Sequence, residues 1–216
     1  MHYTQKQFDQ LKKDGKLVIA LVGMSGMGKT YRAKQLTSLG FQHLNCDDAI
    51  EKRLTALPSV GISGVAEWMG QPYTERHAAR AKEYLNLEDD VVRSFLLSTS
   101  GNTVIDTTGS VVYLSDATQR LLRERALVVY LEANQEVRDK LFHVYMTDPK
   151  PVVWGNNFNK KTGESDHDAL VRCYPELLAF RARRYAAIAD VTLPYSTARD
   201  NTSTSDQFLK AIYALL

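Results

Sequence analysis

The chain has 216 residues, 44% of them hydrophobic and 24% charged, enough for one packed domain with room for an insertion. Lys plus Arg number 27 against 25 Asp plus Glu, a formal net charge of +2, so no strong field draws it to nucleic acid or to anionic lipid. Two cysteines without a CxxC, no signal-peptide core, and no apolar run longer than Leu17 to Val22 point away from a disulfide scaffold, a zinc site and a membrane span, and towards a cytoplasmic protein.

In chain order, residues 1–16 read as an appended amphipathic helix with Phe8 and Leu11 able to face the domain proper, which occupies 17–216. Apolar runs of strand type then alternate with longer helical stretches, the pattern of an α/β fold with a five-stranded parallel sheet flanked by helices in three layers. The strands are expected at Leu17–Val22, Phe41–Asn45, Thr103–Asp106, Leu127–Leu131 and Asp190–Leu193. The helices are expected at Lys29–Leu39, Asp48–Leu57, Val65–Met69, Thr74–Ser98, Ser115–Arg125, Gln135–Tyr145, Asp166–Ala189 and Ser205–Leu216. Thr147 to Glu164 breaks the rhythm: it is rich in Pro, Gly and Asn, and a loop that long is usually functional or disordered.

Directly after the first strand comes Gly23-Met24-Ser25-Gly26-Met27-Gly28-Lys29-Thr30, which satisfies G-x-x-x-x-G-K-[ST] and leads into a helix. In that context the backbone of Gly23, Ser25, Gly26, Met27 and Gly28 curls so that successive N–H groups converge on phosphate oxygens. Lys29 reaches the β and γ phosphates of ATP, and Thr30 can ligate Mg²⁺. The glycine spacing does not fit the G-x-G-x-x-G of a dinucleotide site, which disfavours an NAD enzyme.

Phosphoryl transfer to an alcohol calls for a held metal and, commonly, a carboxylate that orients the acceptor hydroxyl. Asp47 and Asp48 follow the second strand, at the carboxyl edge where ligands of parallel sheets bind. Asp47 is the expected catalytic carboxylate, while Asp48 is as well suited to capping the next helix as to catalysis. Asp106 closes the third strand, either as a partner of metal-bound water or as a turn-forming cap. The five histidines have no partnered spacing.

With those residues in place, the chain from about Lys16 onward resembles shikimate kinase, a small P-loop kinase of the nucleoside monophosphate kinase fold with a mobile lid. Asp47-Asp48-Ala49-Ile50-Glu51-Lys52-Arg53 is similar to the family's D-x-x-I-E-x-R, which implies that Asp47 contacts the acceptor hydroxyl. Residues 60–100 correspond to substrate-binding helices, Val104–Val111 to the strand ending in a glycine triplet, and 146–166 to the lid, led by Lys150 in place of an arginine. Arg181-Ala182-Arg183-Arg184-Tyr185 looks like the family's R-x-x-x-Y, which implies that Arg181 binds the substrate carboxylate.

Four departures stand out. The first acid of the family's D-x-D is Asn45, with Asp106 a candidate substitute. The triplet reads Thr108-Gly109-Ser110, adding side chains on either side of Gly109. The F-R-x-x-E arginine has no clean match, Arg80 being preferred to Arg76. Trp154 to Gly163 lengthens the lid. The resemblance implies an ATP- and Mg²⁺-dependent kinase for a hydroxyl of a small anionic metabolite, shikimate first, with no nucleic-acid or membrane partner and a monomeric or homodimeric state. Another acceptor (sugar acid, polyol or nucleotide) or a noncatalytic ATP-binding module are the alternatives.

Overall fold

The computed structural model describes residues 3–54, 57, 59, 61–148 and 152–216. Five strands, β1 (Val18–Val22), β2 (Gln42–Asn45), β3 (Thr103–Asp106), β4 (Leu127–Leu131) and β5 (Val191–Leu193), form one parallel sheet in the order β2-β3-β1-β4-β5. Every residue of β1 and β4 is buried, as expected of strands covered by helices on both faces, where unbroken apolar runs replace alternation. All five expected strands are present, within a residue at each end.

The helices are α1 (Gln5–Lys13), α2 (Lys29–Leu36), α3 (Cys46–Glu51), α4 (Ile62–Met69), α5 (His77–Ser98), α6 (Asp116–Arg125), α7 (Gln135–Thr147), α8 (Asp166–Ile188), α9 (Tyr195–Ala198) and α10 (Ser205–Tyr213). The expected second helix instead stops at Leu36 and tightens into a 3₁₀ turn ended by Gly40 at φ 83°. The third begins two residues early. Asn45, not Asp48, is its N-cap, the Asn45 side chain accepting from the Asp48 N–H at 3.0 Å, so the capping role considered for Asp48 is corrected. Two short turns went unforeseen, at Val111–Tyr113 and in α9.

The N-terminal helix is tied into the domain. Phe8 is buried edge-on against Tyr213, and Asn102 links the two segments by donating to the Lys12 carbonyl and accepting from the Leu17 N–H. Among the described residues no helix is long and apolar enough to cross a membrane.

Behind the phosphate loop, Arg32 of α2 is fully buried and holds the end of α9 and the turn after it. It donates to the carbonyls of Ala198 (2.9 Å), Thr197 (2.9 Å) and Asp200 (2.8 Å), and its guanidinium lies 4.6 Å from the Phe208 ring. Arginine's fixed fork suits this three-carbonyl grip in a way lysine cannot copy. Arg32→Ala, which strands buried carbonyls, should cost about 3 kcal/mol and lower the melting temperature by roughly 6–12 °C. Arg32→Lys should recover little of it; thermal unfolding of the two variants checks both.

Candidate active site

The sheet order sets the site, because β1, β2 and β3 end side by side. Gly23 leaves β1 at φ 147° so close to β4 that a Cβ there would lie 2.8 Å from the Leu131 carbonyl oxygen. Gly28 enters α2 at φ 94°, a conformation that side chains resist. Between them the loop doubles back on its own lysine: Lys29 Nζ donates to the carbonyls of Gly23 (2.9 Å) and Met24 (3.1 Å), leaving its third N–H. Burial pulls the Lys29 ammonium down, while the carboxylates of Asp106 and Asp47 pull it back up.

Those two acids come from neighbouring strands. Asp106 ends β3 in register with Asn45 at the end of β2, so its carboxylate stands beside the position that Asn45 gives to helix capping. Asp106 is 1% exposed and, among the described residues, neither of its oxygens has a hydrogen-bond partner; His43 Nε2 lies 3.6 Å from Oδ2. A buried carboxylate that accepts no hydrogen bond from the described residues, beside a phosphate loop, suits a cation or a cation's water. The Thr30 side chain is exposed at the start of α2. Among the described residues no group of three or more His, Cys, Asp or Glu could hold a metal unaided, so a cation here would draw on phosphate oxygens and water, the habit of Mg²⁺.

Asp47, in the first turn of α3, faces a cavity of about 150 Å³ whose polar wall includes Ser25, Lys29, Tyr84, Gly109 and Arg181, and whose apolar wall includes Val65, Met69 and Val153. Burial pushes the Asp47 carboxyl up from its ordinary value, and Lys29 works against that shift. The Tyr84 hydroxyl points at Asp47 Oδ1 from 3.5 Å. Gly109 brings the opposite wall close: a Cβ there would lie 3.5 Å from Arg181 Nη1 and 3.7 Å from the Ser25 nitrogen. Its carbonyl accepts from Tyr185, one turn along α8 from Arg181.

Lys29, Asp47, Gly109 and Arg181 thus meet at one cavity, with Asp106 behind Lys29. Arg80 does not join them: its Nη1 donates to the Trp68 carbonyl and its guanidinium stacks 5.1 Å from the Trp68 ring. Arg76 is exposed and donates to the Glu67 carbonyl at 3.3 Å. Lys150 lies outside the described residues. Lys160 is paired with Asp166 at 2.6 Å.

The segment from Val152 covers the cavity and is stitched down on both sides. Arg181 Nη2 donates to the Val153 carbonyl, and His77 Nε2 lies 3.1 Å from the Val152 oxygen. Trp154 is 1% exposed among Tyr145, Phe158 and Tyr174. Farther along, Arg172 of α8 grips Glu164 through two 2.8 Å bonds and also binds Asn159.

Sequence reasoning missed Glu88. It is completely buried in α5, and the hydroxyls of Thr108 and Ser110, the two side chains added to the triplet, turn onto it, Ser110 Oγ at 2.6 Å. The signal was present: Glu88 falls in the stripe Ala81, Tyr84, Val91, Val92 and Leu96, where only apolar residues are expected.

The shikimate kinase family model matches residues 73–212, well over half of the chain. No curated protein matches the sequence. Solved structures do match the fold across nearly its whole length. The shikimate kinase of Acinetobacter baumannii in complex with shikimate is 19% identical, with 96% of this chain and 94% of that one covered and a TM-score of 0.56. That of Bacteroides thetaiotaomicron is 21% identical over 92% and 96%, with a TM-score of 0.57, and that of Aquifex aeolicus 15% identical over 92% and 95%, with a TM-score of 0.54. The chain belongs to the shikimate kinase family and has its P-loop kinase fold.

Proposed function

We propose that the protein is a Mg²⁺- and ATP-dependent phosphotransferase that moves the γ-phosphoryl group of ATP to a hydroxyl of a small carboxylate-bearing metabolite, with shikimate the first acceptor to test. The observation that carries this reading is the convergence of Lys29, Asp47 and Arg181 on one cavity beside the phosphate loop. The loop amides and the free third N–H of Lys29 receive the β and γ phosphates. Asp47 orients the acceptor hydroxyl and takes its proton as the new O–P bond forms and the bond to ADP breaks. Arg181 holds the acceptor's carboxylate by paired hydrogen bonds. Thr30 and Asp106 would hold Mg²⁺, directly or through water, and the ion would supply neutralisation of the phosphate charge. The covering segment from Val152 keeps water from the transferring group, and Lys150, just ahead of it in the sequence, is the cation proposed to meet the nucleotide phosphates.

A second acceptor class is favoured by one observation. With Arg80 engaged on Trp68, Arg181 is the one arginine among the described residues lining the cavity, a lighter grip on a carboxylate than a pair of guanidinium groups gives. Small sugar acids and polyols therefore follow shikimate in the test.

The direct experiment is Mg·ATP-dependent ADP formation with and without shikimate, with the product identified by mass. Acceptor-stimulated ADP release with a phosphorylated product supports the reading; ATP binding without stimulation by any hydroxyl acceptor supports a noncatalytic module instead. Asp47→Asn should lower turnover by roughly 10²–10⁴-fold with nucleotide affinity unchanged, and undiminished turnover overturns its role. Because Asp47 must be ionised to accept a proton and burial raises its pKa, activity should fall on the acid side with a midpoint above the ordinary aspartate range. Lys29→Ala should weaken ATP binding about 100-fold by calorimetry, the loss expected for a charged hydrogen bond to phosphate.

A further inference from the structure

Glu88, Thr108 and Ser110 form three oxygen–oxygen contacts: Thr108 Oγ1 with Glu88 Oε1, Ser110 Oγ with Glu88 Oε2 at 2.6 Å, and Thr108 Oγ1 with Ser110 Oγ at 2.9 Å. Each contact needs a proton between its two oxygens. The two hydroxyls supply two. If Glu88 were ionised, both would point at the carboxylate and the Thr108–Ser110 contact would set lone pair against lone pair. A proton on Glu88 satisfies all three, each hydroxyl donating once around a closed ring, with Thr108 Oγ1 also accepting from the Ser110 N–H at 3.0 Å.

We infer that Glu88 is held as a neutral carboxylic acid whose proton closes this ring, and that the ring is the positioning element that fixes Gly109 at the acceptor cavity. Glu88 and Thr108 are all but sealed from solvent, at 0% and 2% exposed. The ring flanks Gly109 on both sides, and that residue has little freedom between Ser25, Arg181 and the Tyr185 hydroxyl. The added side chains of the triplet are thereby accounted for: they meet an acid in the core.

The surroundings agree in sign. Burial, the largest influence, pushes Glu88 up, the Ser110 and Thr108 hydroxyls pull it down, Asp47 pushes it up and Arg181 pulls it down, and the outcome is a rise to about 7. The other titratable groups facing it are Tyr84 on its own helix, Cys46 on α3, Lys29 on α2 and Tyr185 on α8. The charged residues of α6 and Glu67 of α4 are exposed, and the neighbouring Asp89 is taken up by Ser115 and Thr118. Loss of the Glu88 proton breaks the Thr108–Ser110 link and sets a second anion beside Asp47. The ring stands whatever the acceptor; its effect on acceptor affinity rests on the function proposed above.

Glu88→Gln is the decisive variant, because its amide supplies the third proton and cannot titrate. In full-length ¹⁵N-glycine-labelled protein, the Gly109 amide resonance should titrate with a midpoint near pH 7. In Glu88→Gln it should stay at the wild type's acidic position. Sign follows from linkage: between 4.5 and about 7 the folded chain binds more protons at Glu88 than the unfolded one, so stability falls as pH rises. The folding constant of the wild type relative to Glu88→Gln should therefore drop by up to about tenfold per pH unit across that window and level off above it. A Gly109 resonance that titrates identically in both proteins, or a stability ratio that is flat or rises with pH, overturns the proposal. Should Glu88→Gln fail to fold, the infrared carbonyl band of a protonated carboxyl in the wild type decides: present at about pH 6 and lost by about pH 8 supports it, absent at both overturns it. None of these readouts uses an acceptor, so a chain that phosphorylates no shikimate leaves the test intact.

Discussion

A lysine ammonium withdrawn from water is the constraint around which the site is organised. Lys29 is 8% exposed and bound by two carbonyls of its own loop, which satisfy hydrogen bonds but leave the charge uncompensated. An isolated buried cation would shed its proton. The countercharge arrives from two neighbouring segments, Asp106 ending β3 and Asp47 following β2, and only a sheet in which β3 separates β1 from β2 delivers both. Fold and chemistry are joined at this point: the strand order that buries the core also sets the acids that keep Lys29 charged.

How much of this was legible in the residues depended on how local the cause was. The strands were readable because β1, β3 and β4 are short apolar runs, and the phosphate loop because each glycine answers a local backbone demand. The start of α3 was not, because Asn45 and Asp48 compete for the same cap and only the path of β2 decides between them. Arg80 presents the same difficulty across more chain. Spacing could weigh it against Arg76, but its turn towards Trp68 depends on how α4 lies against α5. Glu88 was overlooked for a different reason: its partners lie 20 and 22 residues away in a loop whose hydroxyls looked like obstructions of the cavity.

The departures from the family pattern share a feature. Asn45 gives up an acid and gains a helix cap, with Asp106 in register beside it. Thr108 and Ser110 add side chains, and Glu88 receives both. The lengthened segment after Val153 is pinned through Arg172 to Glu164 and Asn159. In each case the altered residue is satisfied by a neighbour close in space, so the phosphate loop, Asp47 and Arg181 still face one cavity.

The grip of Arg32 has a consequence for the order in which the chain matures. Its carbonyl acceptors lie 165 to 168 residues downstream, two at the end of α9 and one in the turn that follows it. During synthesis the phosphate loop and α2 leave the ribosome early, and of the partners of the Arg32 guanidinium only Gln35 and Tyr31 are made with them; the three carbonyls come later. The helix that carries the phosphate loop is thus made early, and the carbonyls that satisfy its buried arginine are made 165 to 168 residues later.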